Sequence, residues 1–244
     1  MLSDLLMDNF DVCQAENGLL ASQILDTLEV DIIISDIMMP EKDGITFCRE
    51  VKQNVDNCHI PFIMMTAKGG LDARIDGIDS GADAYLEKPI SFKLLKLTIQ
   101  NLLKQQNRVR EYYAKNIFVD GSEVIGNQRD NEFIKKFIDV VDKFIGKNDV
   151  DINYIAMELS MSRSKLYAKV KSLTNKTIVD FIRTYRLRKA AKLMIEDGLN
   201  VIEAMDVVGI ESASYFSHAF KKEFGETPSG FVARMKGNQP PSTN

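Results

Sequence analysis

The sequence predicts two folded units of different class: an α/β doubly wound unit on a parallel sheet, then an all-α unit with two helix-turn-helix elements. Three observations predict it. Over residues 1–107, short β-branched runs alternate with helical spacing, an order that gives a parallel sheet covered by helices on both faces. Beyond residue 131 nearly every window has helical periodicity, and one helix-turn-helix pattern occurs twice, about fifty residues apart. Charge divides at the same place: residues 1–102 hold 8 Lys+Arg against 17 Asp+Glu, whereas 103–244 hold 23 against 18.

In the acidic half, Asp11–Ala15, Asp31–Ser35, Pro61–Thr66 and Asp83–Glu87 read as strands, the middle two apolar enough to be buried on both faces. Helical spacing fills the intervals near 17–28, 44–55, 70–80 and 91–106, as in Leu20, Ile24 and Leu28 or Leu94, Leu97, Ile99 and Leu102. Residues 108–131 hold Gly121, Gly126 and polar stretches and read as a linker. Asn131–Ile145 is amphipathic through Phe133, Ile134, Phe137, Ile138, Val141 and Ile145. Ile152–Ser162 then leads into Lys165–Val170, and Val201–Glu211 into Ser214–Phe220, each a helix, a tight turn and a second helix. Gly209 stands at the second turn, where glycine takes a left-handed backbone most easily, and Ser160 at the first. Ile178–Asp197 joins the copies as one long helix that stops at Gly198. Residues 239–244 read as a flexible tail.

Composition excludes several classes. The chain has 244 residues, 45% of them hydrophobic and 27% charged, with 6 Pro and 14 Gly, which is incompatible with wholesale disorder or a collagen-like repeat. The runs Asp31–Pro40 and Ile60–Ala67 reach about half of the roughly 20 residues a membrane helix needs. The acidic N-terminus lacks the basic-then-apolar export pattern, so a cytoplasmic location is expected. Cys13, Cys48 and Cys58 form no CxxC pair, and His59 and His218 lie far apart, so reduced structural thiols are expected rather than disulfides or zinc.

Chemistry in an open parallel sheet gathers at the carboxyl ends of the strands. Asp36, Thr66 and Lys88 each follow an apolar run and are predicted to meet there, Lys88 with Pro89 directly behind it. A carboxylate, a hydroxyl and an ammonium at one edge suit transient phosphorylation, with Asp36 as nucleophile and Lys88 and Thr66 binding the phosphoryl oxygens. A phosphatase of the haloacid-dehalogenase type would need a second Asp two positions after Asp36, and Met38 stands there.

These residues carry a resemblance. Ser35-Asp36-Ile-Met-Met-Pro40 with Gly44, Met65-Thr66-Ala67-Lys68, Gly81-Ala-Asp-Ala-Tyr85 and Glu87-Lys88-Pro89 resemble the flavodoxin-like receiver domain of two-component response regulators over residues 1–107. The resemblance implies Asp36 as phosphoacceptor, Thr66 and Lys88 as the phosphate-sensing pair and Tyr85 as the switch aromatic. It also implies a histidine kinase or upstream kinase domain as phosphodonor, and Mg²⁺ for the transfer. One departure matters: receivers open with a central strand ending in an acidic pair that binds Mg²⁺, whereas this chain starts partway through the first helix. Neither Asp4, Asp8 nor Asp11 is placed to substitute. A fragment, or a start codon assigned too late, is expected over a degenerate receiver, because degeneracy would be expected to erase the phosphoacceptor motif too.

Residues 132–238 resemble the AraC/XylS family of DNA-binding domains, through Tyr215-Phe-Ser-His-Ala-Phe-Lys-Lys-Glu-Phe-Gly225, Thr227-Pro228-Ser229 and the basic Tyr185–Ala191 stretch. Met205 and Ile210 replace a small alanine and a phenylalanine common in that family, both at packing positions. Residues 159–192 hold ten basic residues and the single acid Asp180, a footprint for a polyanion. At about 100° per residue, an inward Leu166 puts Ser164, Ala168 and Lys171 outward, and an inward Phe216 and Phe220 put Ser214, His218 and Lys221 outward, with Lys222 beside them. Small Ser164 and Ala168 offer few base contacts, so the first unit is expected to grip phosphates through Arg163, Lys165 and Lys169, with Tyr167 at the margin. The expected function is a non-enzymatic transcription regulator of a two-component phosphorelay that binds double-stranded DNA, with a homodimer compatible with that role. The alternatives are a phosphorylation-independent regulator whose receiver is an interaction module, and the C-terminal part of a hybrid sensor kinase.

Overall fold

A computed structural model describes residues 2–67, 80–115, 127–147 and 150–237. The chain divides into two compact units, one of residues 1–113 with 123–133, the other of 114–122 with 134–244.

The first unit runs α1 (Leu2–Met7), α2 (Gly18–Leu25), β1 (Ile33–Asp36), α3 (Gly44–Gln53), β2 (Phe62–Thr66), β3 (Ala84–Glu87) and α4 (Phe92–Lys115). The three strands are parallel in the order β1-β2-β3, with Asp36 opposite Met65 and Thr66 opposite Glu87. Because successive side chains of a strand point to opposite faces, β2 feeds two cores. Phe62 and Met64 pack with Ile33, Phe47, Cys48 and Val51 beneath α2 and α3, while Ile63 packs with Leu6, Leu86, Leu95 and Ile99 beneath α1 and α4. Helix starts are fixed by side chains that accept orphan backbone N–H groups: Asn17 from Leu20 and Asp43 from Thr46.

Four expectations need correction or lie outside the described residues. Asp11–Ala15 forms no ladder. In the flavodoxin-like order 2-1-3-4-5 that strand pairs only with the first one, so its ladder depends on a single neighbour, while Val12 packs on the α1/α4 core. The segment read as linker is entered from both sides, since α4 runs to Lys115 and the next helix starts at Gln128. Residues 116–126, the helix expected near 70–80 up to residue 79, and the tail 239–244 lie outside the described residues.

Beyond it lie α5 (Gln128–Lys143), α6 (Ile152–Glu158), α7 (Arg163–Thr174), α8 (Ile178–Glu196), α9 (Val201–Val207), α10 (Ala213–Phe224) and α11 (Pro228–Gly237). The first turn of α5 is tied to the first unit, where Asn127 Nδ2 donates to Cys58 O at 3.1 Å and the Cys58 thiol to Asp130 Oδ1 at 3.4 Å. In the second unit, both helix-turn-helix turns use one hydrogen-bond pattern. Ser160 N donates to Met157 O and Met161 N to Ala156 O; likewise Gly209 N donates to Asp206 O and Ile210 N to Met205 O. Ser160 and Gly209 both have positive φ, 55° and 67°. A Cβ on Gly209 would lie 2.8 Å from the Gly146 carbonyl carbon and 2.9 Å from Ile145 O, so glycine is required there by closeness as well as by conformation. Around the second copy, Leu187, Ala190, Met194, Ala204, Met205, Val208, Phe216 and Phe220 form one core, with Phe224 and Phe231 against it.

Candidate functional site

Asp36, Thr66 and Lys88 stand at the carboxyl ends of β1, β2 and just past β3, and the parallel order makes those ends neighbours. The Lys88 ammonium is ion-paired to Asp36 Oδ2, with both side chains partly exposed, 43% and 31%. Met38 N donates to Asp36 Oδ1 at 3.3 Å, which fixes the carboxylate from its own loop. Lys88 N donates to Thr66 O at 2.8 Å, tying the lysine to the end of β2. The Lys88–Pro89 peptide is cis. Thr66 is buried and its hydroxyl donates to Ala67 O at 3.2 Å. Tyr85 is half-buried against the Ile33–Phe47–Met64 cluster, and burial pushes its phenol up from its ordinary range.

The loop between β1 and α3 closes over this edge. Gly44 N donates to Ile37 O at 2.9 Å, and a Cβ on Gly44 would stand 2.0 Å from Asp36 O. Gly44 therefore sets how closely α3 approaches the end of β1, a role that spacing alone does not reveal.

The receiver resemblance implies Mg²⁺, and the donors present do not make its site. Mg²⁺ takes octahedral oxygen ligands that include carboxylates. Here the Asp36 carboxylate is engaged by Lys88, and among the described residues no group of three or more His, Cys, Asp or Glu gathers to hold a metal.

In the second unit, Arg163, Ser164, Lys165, Lys171, Ser214, His218, Lys221 and Lys222 are all exposed on α7 and α10, and Tyr167 and Ala168 are intermediate. The Arg163 guanidinium lies over the Tyr167 ring, 5.6 Å from its centroid. Lys169 is a correction: it is only 1% exposed, because three residues after Leu166 brings it back to the inner side of α7 beside Val170.

The basic footprint also shrinks. On α8, Arg188 pairs with Glu223 at 2.7 Å, Lys189 with Asp142 at 2.6 Å, Arg183 with Asp180 at 2.6 Å and Lys192 with Glu196 at 3.7 Å. Arg186 reaches Lys147 O and, at 3.4 Å, Gly209 O. Lys176 donates to Thr184 Oγ1 at 2.9 Å, and burial pushes its ammonium down. Arg186, Arg188 and Lys189 thus bind this unit together, while the exposed cations lie on α7, on the last turn of α10 and, on α8, at Arg183 and Lys192. Tyr215, 49% exposed in the first turn of α10, joins the outer face; aligning the two copies would have revealed it.

Comparison with known proteins agrees with this division. Residues 1–100 match the response regulator receiver domain and residues 155–234 a helix-turn-helix domain. Histidine kinase P4 of Formosa agariphila is 32% identical over 96% of this chain, which spans only 17% of that protein. The probable transcriptional regulator ycf27 of Cyanidium caldarium is 31% identical over 74% of this chain and 68% of its own length. The signal receiver domain of a signal transduction histidine kinase from Syntrophus aciditrophicus is 31% identical with a TM-score of 0.39, covering 41% of this chain and 76% of that one. The chain belongs to the response regulators, with a receiver in its acidic half and an AraC-type helix-turn-helix domain in its basic half.

Proposed function

We propose that the chain is a DNA-binding transcription regulator whose DNA affinity responds to phosphorylation of Asp36 by a histidine kinase. The carrying observation is the Asp36–Lys88 ion pair at a sheet edge that also holds Thr66. A carboxylate oxygen of Asp36 attacks phosphorus, the phosphodonor's leaving group departs with the bonding electrons, and an acyl phosphate of charge about −2 replaces a carboxylate of −1. Lys88 already faces that position and Thr66 ends the neighbouring strand, so both are placed to respond to the added charge. Replacing the Asp36–Lys88 ion pair by a bulkier dianion is the switch event, with Tyr85 as the aromatic reporting it. DNA is the partner of the exposed cations on α7 and α10, a role that a cytoplasmic location would suit, and paired half-sites would suit a homodimer.

A second reading has its own support. The Asp36 carboxylate is already engaged by Lys88, and a receiver held in that paired state can act as a protein-interaction module without phosphorylation. Incubation with a small-molecule phosphodonor and Mg²⁺, read by intact mass and by duplex binding, separates the two. A gain of one phosphoryl group that Asp36→Asn abolishes, with a change in DNA affinity, supports phosphorylation control. Duplex binding with no mass gain in either this chain or one extended upstream of Met1 supports the interaction module.

A further inference from the structure

We propose that the two helix-turn-helix units divide DNA recognition unequally: α10 selects sequence through His218 and Tyr215, while α7 supplies sequence-tolerant phosphate contacts through Arg163, Lys165 and Lys171. This rests on the DNA-binding reading above and goes further by assigning different chemistry to each copy.

The two helices are the same structural object displaced by 50 positions. Each has 12 residues and starts at a serine cap, Ser162 accepting from Lys165 N and Ser212 from Tyr215 N. Each ends at a left-handed cap, Asn175 or Gly225, and is followed by a threonine, Thr177 or Thr227, that accepts a backbone N–H three residues on. The buried positions correspond too, Leu166 with Phe216 and Val170 with Phe220. Side-chain differences on the outer face are therefore differences in chemistry at equivalent places.

Along that face Ser164 matches Ser214 and Lys171 matches Lys221, so only the middle position differs, Ala168 against His218. Alanine has a methyl group and no donor or acceptor, which limits it to apolar contact with thymine methyls. An imidazole carries two ring nitrogens able to donate or accept at a base edge. The first turns diverge in the complementary sense: α7 has Arg163 and Lys165 where α10 has Ala213 and Tyr215. Cations at a first turn are within reach of phosphates, whereas the exposed tyrosine hydroxyl both donates and accepts. One copy thus carries its charge at the first turn with no donor or acceptor at the middle position, and the other has an imidazole at that position with its charge moved to the last turn at Lys221 and Lys222.

The full chain is used to select duplexes from a random-sequence pool. The expected site has base preference in one half only, with a second half about one helical turn away that tolerates any sequence. His218→Ala is expected to reduce preference for the selected duplex over random duplex by about tenfold, with the larger loss of affinity on the selected duplex. His218→Gln, which keeps a donor and an acceptor at that place, is expected to alter which base is preferred. R163A combined with K165A is expected to weaken both duplexes equally and to lower the salt slope by about two. Base preference of equal weight in both halves, or an unchanged site with His218→Ala, overturns the division. Failure of the wild-type chain to retain any duplex is a separate result that rejects the DNA-binding reading itself.

Discussion

The paired turns at Ser160 and Gly209 give opposite responses to small substitutions. Both have positive φ and the same hydrogen bonds, but only Gly209 lies against backbone, with Gly146 and Ile145 atoms 2.8–3.0 Å from where a Cβ would stand. Gly209→Ala incurs the left-handed penalty of about 1–2 kcal/mol. It also incurs a clash that no rotamer relieves, about 1–3 kcal/mol by the cost of overpacking. The sum, about 2–5 kcal/mol, corresponds to a fall of roughly 10–25 °C in the second unit's midpoint, given several degrees per kcal/mol for a domain of about 100 residues. Ser160→Gly removes the left-handed penalty at an exposed position and adds about 0.5–1 kcal/mol of unfolded-state entropy, so it is expected to stabilise by about 0.5–1 kcal/mol. Urea and thermal unfolding of the full chain followed by circular dichroism at 222 nm measure both. A loss below about 1 kcal/mol for Gly209→Ala, or a Ser160→Gly variant destabilised as much as Gly209→Ala, would refute the reasoning.

Other consequences are open to measurement. Lys52 donates to Ile60 O at 2.7 Å and to Asp83 Oδ2 at 2.6 Å, so Lys52→Ala is expected to destabilise the first unit by about 1–3 kcal/mol in a denaturant titration, and no change would remove that role. Arg188 reaches Glu223 through Nε at 2.9 Å and Nη2 at 2.7 Å with both side chains mostly buried, so Arg188→Ala is expected to lower the second unit's midpoint more than Lys192→Ala, whose pair with Glu196 is exposed. Cys13 is exposed whereas Cys48 and Cys58 are buried, and burial pushes the Cys48 thiol up, so a native chain is expected to react at Cys13 alone with a thiol reagent. Labelling at Cys48 before unfolding would contradict that packing. Burial and the 2.6 Å hydrogen bond to Asp142 hold the Tyr185 phenol above its ordinary range. A raised folded value means the stabilisation is complete below about pH 10 and declines as pH rises beyond it. Tyr185→Phe is expected to make stability less sensitive to pH there; an unchanged slope would count against this account.

The sequence disclosed features governed by local rules and missed those governed by distant partners. Asp36, Thr66 and Lys88 were legible because each ends an apolar run and parallel strands bring such ends together. Asp11–Ala15 has the pattern of a strand, yet a ladder needs a neighbour, and pattern does not supply one. Lys169 was legible and misread: three residues from Leu166 is about 300°, or 60° short of a full turn, which is the inner side of the helix. The charges of α8 were not legible, because their partners Asp142 and Glu223 arrive from α5 and α10, and only tertiary structure separates a binding charge from a structural one. The extension of α4 to Lys115 was masked by its polar surface, though Gln106, Val109 and Tyr113 keep helical spacing.

The continuous helix α8 has one more consequence. Its 19 residues at about 1.5 Å each make a rod of roughly 28 Å, comparable to the ~34 Å repeat of B-DNA, and it fixes the angular phase between the copies as well as their separation. Each inserted residue would turn everything downstream by about 100° and advance it by about 1.5 Å, so one added residue would point α10 away from a duplex that α7 still faced. Seven added residues, two turns, would nearly restore the phase while lengthening the rod by about 10 Å. Evolution of new operator spacings in such a chain is therefore constrained to steps of whole helical turns.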